Sequence, residues 1–174
     1  VSASGVESKT VTITQAKKVV VDSNFEAGLY WIMGTKDGKT SVMTPLASDK
    51  KYGYASSVVV TNNTSTAANA FTFTAVSGGY TIQDASGRYY YQEEGTTYKT
   101  FNAGTDGSLA GCVWTVNIQN DGTALITNAA SGKSVKFADG TYTSFGVYGE
   151  SDSNTAVYPM LVKADSPATV ELAS

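Results

Sequence analysis

The sequence predicts an all-β fold built from three copies of a four-stranded unit. Ile126 stands forty-four residues downstream of Ile82, and the same offset relates Tyr98 to Tyr142 and Phe101 to Phe145. Internal repeats of about this length are typical of solenoids, propellers and closed pseudo-symmetric barrels. The composition agrees, because 11 Tyr and 17 Gly accompany many Thr, Ser and Asn residues in a chain of 174 residues. Such residues suit pleated strands and tight turns.

The copies are predicted at about 29–76, 80–118 and 124–162, within a domain spanning 28–164. Each is expected to begin with a strand and a glycine-containing hairpin turn, since Gly accepts the left-handed backbone that tight hairpins need. The predicted turns are Lys36-Asp37-Gly38, Asp84–Gly87 and Asn128–Gly132.

A third and a fourth strand complete each copy. The third strands are predicted at Tyr52–Tyr54, Tyr98–Phe101 and Tyr142–Phe145. The fourth strands begin at Phe71, Trp114 and Tyr158. Positions that are apolar or aromatic in every copy are interpreted as core or barrel cap, namely Tyr30, Tyr80 and Ala124 in the first strands and Phe71, Trp114 and Tyr158 in the fourth.

Three copies of four strands resemble the β-trefoil, a six-stranded barrel capped by three hairpins. A three-bladed propeller is the weaker alternative, since propellers have about four to eight blades. The closing segments Tyr142–Tyr148 and Val157–Lys163 resemble the end of the trefoil-like modules in secreted Bacteroidetes proteins. That resemblance implies a secreted or cell-surface location, with anchoring to the outer membrane through a region not in this chain.

Residues 1–27 are interpreted as a strand arm, and 165–174 as a tail. The alternating segment Glu7–Ala16 resembles the last strand of the immunoglobulin-like BACON domain, which implies that the arm is a remnant of a preceding domain. Alternatively, residues 7–16 pair with a sheet edge of a neighbouring subunit, because an unpaired strand exposes backbone donors and acceptors.

Composition argues against several function classes. A net charge of -3 with no basic run argues against nucleic acid as a partner, and no apolar run is long enough to insert into a membrane. The absence of His and the single Cys112 remove the usual catalytic triads and zinc sites. We therefore expect no enzyme activity, cofactor or metal, and a buried, unreactive Cys112. Acid–base chemistry by Glu93 and Glu94, or a calcium site, is the weaker alternative.

The candidate ligand site lies in the second copy and comprises Tyr89, Tyr91, Arg88 and Glu93. Strand alternation places Tyr90 inward and its two tyrosine neighbours outward. Two exposed tyrosines beside charged groups suit sugar stacking or a protein contact. The alternative is a packing pair against a neighbouring loop. The Gln-x-Trp sequence that ricin-like trefoil lectins usually carry is absent, so no site is transferred from that family.

The sequence thus favours a non-catalytic binding module for a glycan or a host or surface protein, acting in adhesion. The alternative function is a structural subunit of a surface assembly, filament or virion, joined through the N-terminal strand. The two functions differ in what the purified chain exposes. A glycan binder keeps Tyr89 and Tyr91 open to solvent, whereas an assembly subunit buries aromatic patches or its N-terminal strand against another copy.

Overall fold

The computed structural model describes residues 25–60, 67–140, 142–152 and 155–164. Over these ranges the protein is all-β, with two single turns of 3-10 helix at Ala67–Asn69 and Ala110–Cys112. No helix among these residues is long and apolar enough to cross a membrane. The strands are β1 (Gly28–Lys36), β2 (Lys39–Met43), β3 (Tyr52–Gly53), β4 (Ala55–Val59), β5 (Phe71–Val76), β6 (Gly79–Gln83), β7 (Tyr89–Tyr91), β8 (Phe101–Gly104), β9 (Trp114–Ile118), β10 (Ala124–Asn128), β11 (Ser134–Asp139), β12 (Thr143–Tyr148) and β13 (Met160–Lys163).

The predicted hairpin turns are confirmed. Strands β1 and β2 are joined by Asp37 and Gly38, whose φ angles of 52° and 76° are those of a two-residue primed turn. Gly87 and Gly132 also have positive φ, 87° and 72°, at the turns between β6 and β7 and between β10 and β11. Local backbone chemistry therefore sets where these hairpins reverse.

Six strands pair in a circuit, all antiparallel. Strand β1 pairs with β5 and β13, β5 with β6, β6 with β9, and β9 with β10. The link between β10 and the β13 end of the chain is a single backbone hydrogen bond, 2.7 Å from the Ala124 nitrogen to the Pro159 oxygen. The circuit is therefore not a uniform barrel, because one of its six links lacks a ladder.

The remaining strands form hairpins that also contact one another. The hairpin partners are β2 with β4, β7 with β8, and β11 with β12. Strand β4 pairs with β12 through Ser56 and Ser144, and β3 pairs with β8 through Tyr52 and Asn102. These two cross-links bring the three predicted third-strand segments together.

Two apolar clusters occupy opposite faces of β1. Tyr30 and Ile32 belong to the main core, which contains Phe71, Tyr90 and Trp114. Trp31 and Met33 point to the other face, as the period of two requires, and join Val42, Ala70 and Ala164 in a second cluster. Burying each large side chain contributes about 1.5–3 kcal/mol, so β1 is held from both sides.

The predicted core positions are largely confirmed. Tyr30, Phe71, Trp114 and Ala124 are buried, and Tyr80 is partly buried against the main core. Tyr158 differs, since it is only half-buried and lies under the ammonium group of Lys136, 5.0 Å from the ring centroid.

Three predicted strands begin later than expected, β12 by a single residue, at Thr143 rather than Tyr142. Strand β13 starts at Met160 rather than Tyr158, because Pro159 has no N–H to donate to a ladder. Strand β8 starts at Phe101 rather than Tyr98. The carbonyl of Tyr98 accepts side-chain donors instead of strand partners.

Most of the predicted arm, the segment 7–16 and the tail 165–174 lie outside the described residues. The described end of the arm packs on the domain. The Phe25 ring lies 4.8 Å from that of Tyr30 and 4.9 Å from that of Tyr80, centroid to centroid. The Tyr80 hydroxyl donates to the Phe25 carbonyl over 2.9 Å. Phe25 therefore belongs to the packed domain, although it precedes the predicted boundary at residue 28.

Candidate functional site

Four tyrosine side chains on the third-strand segments are open to solvent. Tyr52 is 69% exposed, Tyr54 47%, Tyr98 74% and Tyr142 81%. Large aromatic groups gathered on one part of a surface mark interaction sites more often than scattered apolar residues do. Two clefts are built around these four rings.

Cleft I, of about 710 Å³, lies beside the β3–β8 pair and contains two of the exposed tyrosines. The turn at 93–97 forms its other wall, closed by a 3.3 Å hydrogen bond from the Thr96 nitrogen to the Glu93 oxygen. Side-chain hydroxyl, amide and carboxylate groups surround the two rings. The lining residues are Tyr52, Glu93, Glu94, Gly95, Thr96, Thr97, Tyr98, Thr100 and Asn102.

The backbone of Tyr98 is fixed although its ring is free. Its carbonyl accepts hydrogen bonds from Nε2 of Gln92 at 3.3 Å and from Nζ of Lys133 at 3.1 Å. Its N–H donates to Oγ1 of Thr96 at 3.3 Å. Gln92 is itself buried, and its Oε1 accepts the Ser131 hydroxyl at 2.7 Å. An exposed ring on an ordered backbone is pre-organised for a ligand, which reduces the entropy cost of binding.

Tyr52 follows a loop that Arg88 holds in place. The guanidinium of Arg88 donates to the carbonyls of Ala47 at 3.1 Å and Lys50 at 3.2 Å, and also to that of Leu46. The next carbonyl, of Lys51, accepts the N–H of Ala103 at 2.8 Å. The 46–51 segment that precedes Tyr52 is therefore anchored twice, by Arg88 and by the N–H of Ala103.

Buried Asp84 orients Arg88. Its carboxylate accepts hydrogen bonds from Nε of Arg88 at 2.9 Å and from the Tyr90 hydroxyl at 3.2 Å. It also accepts the N–H and the hydroxyl of Ser86. Burial acts to raise the pKa of Asp84, but the hydrogen bonds from Ser86 and Arg88 and the charge of Arg88 outweigh it, so the pKa is lowered. Burial likewise raises the pKa of Tyr90 above its ordinary value.

Cleft II, of about 600 Å³, contains the other two exposed tyrosines. The ring of Tyr54 lies on Gly146, where an added Cβ would stand 2.9 Å from the ring and 2.8 Å from the Lys99 carbonyl oxygen. Glycine at 146 therefore makes room for this ring. The lining residues are Tyr54, Ser56, Ala138, Asp139, Gly140, Tyr142, Thr143, Ser144, Tyr148, Thr155 and Ala156.

Lysine side chains near the two clefts are engaged with protein groups. Nζ of Lys99 lies 3.2 Å from Oδ1 of Asp152 and 5.8 Å from the centre of the Tyr148 ring. Nζ of Lys36 donates to the Asp139 carbonyl at 2.9 Å and to the Thr155 hydroxyl at 3.2 Å. Within the described ranges, no lysine or arginine lines either cleft.

The residues predicted as the site do not all come together. Tyr90 points inward and is fully buried, as alternation predicted, but Tyr89 and Tyr91 are half-buried rather than open. The Tyr89 ring covers Gly107, where no Cβ would fit, so the packing alternative describes it better. Arg88 has its donors occupied by the protein, and only Glu93 lines a cleft.

Sequence reasoning did not single out the four exposed tyrosines as candidate ligand contacts. Their signal was the recurrence of tyrosine on every predicted third strand, including the pair Tyr98 and Tyr142 at the repeat offset. Such recurrence was interpreted as core for the first and fourth strands. On the third strands it marks the surface.

The residues considered for acid–base chemistry or thiol reactivity are two exposed carboxylates and a buried cysteine. Among the described residues no group of three or more His, Cys, Asp or Glu could hold a metal ion. Glu93 and Glu94 are solvent-exposed, as expected for acidic residues in a polar loop. Cys112 is confirmed as buried, and burial, with the nearby charge of Asp106, raises the pKa of its thiol.

The sequence matches no model of a known protein family and no curated protein. The two clefts are therefore the features from which a function can be inferred.

Proposed function

We propose that the protein is a non-catalytic, secreted or cell-surface module that binds glycans through cleft I. The observation that carries this proposal is the pair Tyr52 and Tyr98, whose rings are open to solvent while their backbones are anchored. The module would serve adhesion, with weak binding at each site strengthened by multivalency.

A β-trefoil-like fold is part of the proposal. It is supported by the circuit of β1, β5, β6, β9, β10 and β13, which are the first and fourth strands of the three predicted copies. The hairpins β2–β4, β7–β8 and β11–β12 lie between these strands in the chain, as the caps of such a barrel would.

The chemistry of cleft I suits a sugar. Aromatic faces offer a large apolar contact with a polar tip, and the C–H face of a sugar ring stacks on such a surface. Hydroxyl groups of Thr96, Thr97 and Thr100 can donate and accept, and the amide of Asn102 does both through separate atoms. Sugar hydroxyls have the same double capacity, so each can be matched without an unpaired polar group.

A glycan array followed by calorimetry on its hits tests the proposal. We expect Tyr98→Ala to weaken binding about tenfold or more, as for a central aromatic contact. Leu109→Ala is the matched control, because Leu109 is exposed but lies outside the cleft. Tyr89→Ala tests the site predicted from sequence. Loss of binding in Tyr89→Ala with full binding in Tyr98→Ala would move the site to β7.

The assembly alternative is tested by light scattering on the intact chain and on a variant lacking residues 1–18. A monomer in both cases agrees with a binding module. Dimers or polymers that the deletion abolishes would favour a structural subunit joined through the arm, and the glycan proposal would then be abandoned.

A further inference from the structure

Clefts I and II lie on either side of one short chain segment. Tyr52 lines cleft I and Tyr54 lines cleft II. Two residues of extended chain span about 7 Å. The Cα atoms of Tyr52 and Tyr54 are therefore at most about 7 Å apart. The rings are 69% and 47% exposed, so neither is closed off from solvent.

The 98–100 segment also adjoins both clefts. Tyr98 and Thr100 line cleft I. The carbonyl of Lys99, between them, accepts the N–H of Val147 on β12 at 2.8 Å and lies beside Gly146, under the Tyr54 ring. The Lys99 backbone, with the Tyr54 ring packed against it, therefore separates the two clefts. Exposed Tyr142 lies on the far side of this boundary, in cleft II.

From this arrangement we infer that one linear, uncharged oligosaccharide binds across both clefts, passing over the Tyr52–Tyr54 segment. This inference rests on the proposed glycan-binding function and adds the form and charge of the ligand. A ligand that spans both clefts gains the second set of contacts at a high effective concentration, with no further association cost.

The charges at the two clefts favour an uncharged ligand. Carboxylates of Glu93 and Glu94 line cleft I, and that of Asp139 lines cleft II. Two nearby cations are engaged, Lys99 with Asp152 and Lys133 with the Tyr98 carbonyl. An anionic glycan would meet these carboxylates without a cationic partner among the described lining residues, and like-charge contacts oppose binding.

Neutral homo-oligosaccharides of the cello, malto, xylo and manno series, from disaccharide to hexasaccharide, provide the test. In the series that binds, we expect the hexasaccharide to bind about tenfold more tightly than the disaccharide, with one hexasaccharide per chain by calorimetry. Tyr142→Ala should remove most of this gain, because Tyr142 lines cleft II. Tyr142 suits this test because its ring is 81% exposed, so its removal should not disturb the core. Circular dichroism checks that the variant is folded.

Oligogalacturonates of matched length test the charge of the ligand. They should bind more weakly than the neutral oligosaccharides.

Each other outcome overturns a definite claim. Equal affinities for short and long chains, or two hexasaccharides per chain, overturn the spanning ligand but leave glycan binding in place. Tighter binding of oligogalacturonates overturns the uncharged ligand. Absence of binding at every length in all four series overturns the proposed function, and the inference with it.

Discussion

Nε of Arg88 donates to Oδ2 of Asp84 over 2.9 Å, and the rest of the same guanidinium holds the carbonyls of the 46–50 loop. The carboxylate is buried, whereas the Arg88 side chain is 16% exposed. A turn between β6 and β7 is thereby fastened to a loop that lies about forty residues earlier and leads into Tyr52. Stability of the fold and order in cleft I depend on the same pair.

Asp84→Asn keeps the shape of the side chain and removes its charge. We expect the free energy of unfolding to fall by about 3 kcal/mol, because the variant leaves Arg88 without its ion-pair partner. Denaturant unfolding measures this. Asp106→Asn is the matched control, since exposed Asp106 makes the same turn bonds to Ser108, at 3.0 and 2.6 Å, and has no ion pair with any described residue. Equal losses in the two variants would contradict a special role for the pair.

Acid should remove the contribution of Asp84. Its pKa in the folded state lies below the ordinary value of 3.8, so its ionised form is stabilised by folding. The contribution is fully present above about pH 4 and is lost as the pH falls through the lowered pKa. The stability difference between the wild type and Asp84→Asn should therefore shrink in acid. A difference that stays constant from neutral pH to below pH 3 would argue against the ionised carboxylate as the source.

Tyr90→Phe tests the buried hydroxyl that joins the same network. This hydroxyl accepts the Leu46 N–H at 2.7 Å and donates to Asp84. Removing it leaves a buried N–H unpaired, which costs about 2 kcal/mol. The Leu46 amide should also exchange its hydrogen faster. Tyr89→Phe, on the same strand but half-buried, should leave stability and this exchange rate close to those of the wild type.

Turn positions were predictable because they depend on local backbone chemistry. Asp37-Gly38 and Gly87 adopt left-handed angles that few other residues accept, so their sequence identifies them. The second apolar cluster around Trp31 was not predictable in this way. Val42 lies on the neighbouring hairpin strand, but Ala70 and Ala164 come from distant segments, and only the folded topology brings them to the same face of β1.

The exposure of the tyrosines near the candidate site could be predicted only in part. Alternation correctly separated Tyr90 from Tyr89 and Tyr91, since it depends only on strand geometry. It could not show that Tyr89 is covered at Gly107 or that Tyr98 lies outside the ladder of β8. Exposure depends on packing between distant segments, and those contacts leave no local pattern in the sequence.

Gly111→Ala should be among the most damaging small substitutions. Gly111 is buried, and an added Cβ would overlap the backbone carbonyl of Gln92, which cannot move without disturbing the Tyr98 anchor. We expect a loss of about 3 kcal/mol from overpacking. Gly140→Ala is the control, because nothing lies within 4 Å of a Cβ there, and its effect should stay within about 0.5 kcal/mol. Thermal or denaturant unfolding of both variants decides whether this close approach matters.

Cys112 should be inert until the fold opens around it. Its thiol is buried and donates to the Asp106 carbonyl with the sulfur 3.4 Å from the oxygen, and its raised pKa leaves little thiolate at neutral pH. Labelling by a disulfide reagent should be on the order of hundredfold slower than in denaturant, because it requires local unfolding. Ala110→Cys places a second thiol at an exposed position two residues away and should add one fast-reacting group. Fast labelling of the wild type would contradict the buried position of Cys112. Fast labelling of the variant alone would confirm that burial of the thiol, and not the reactivity of the reagent, limits the labelling rate of Cys112.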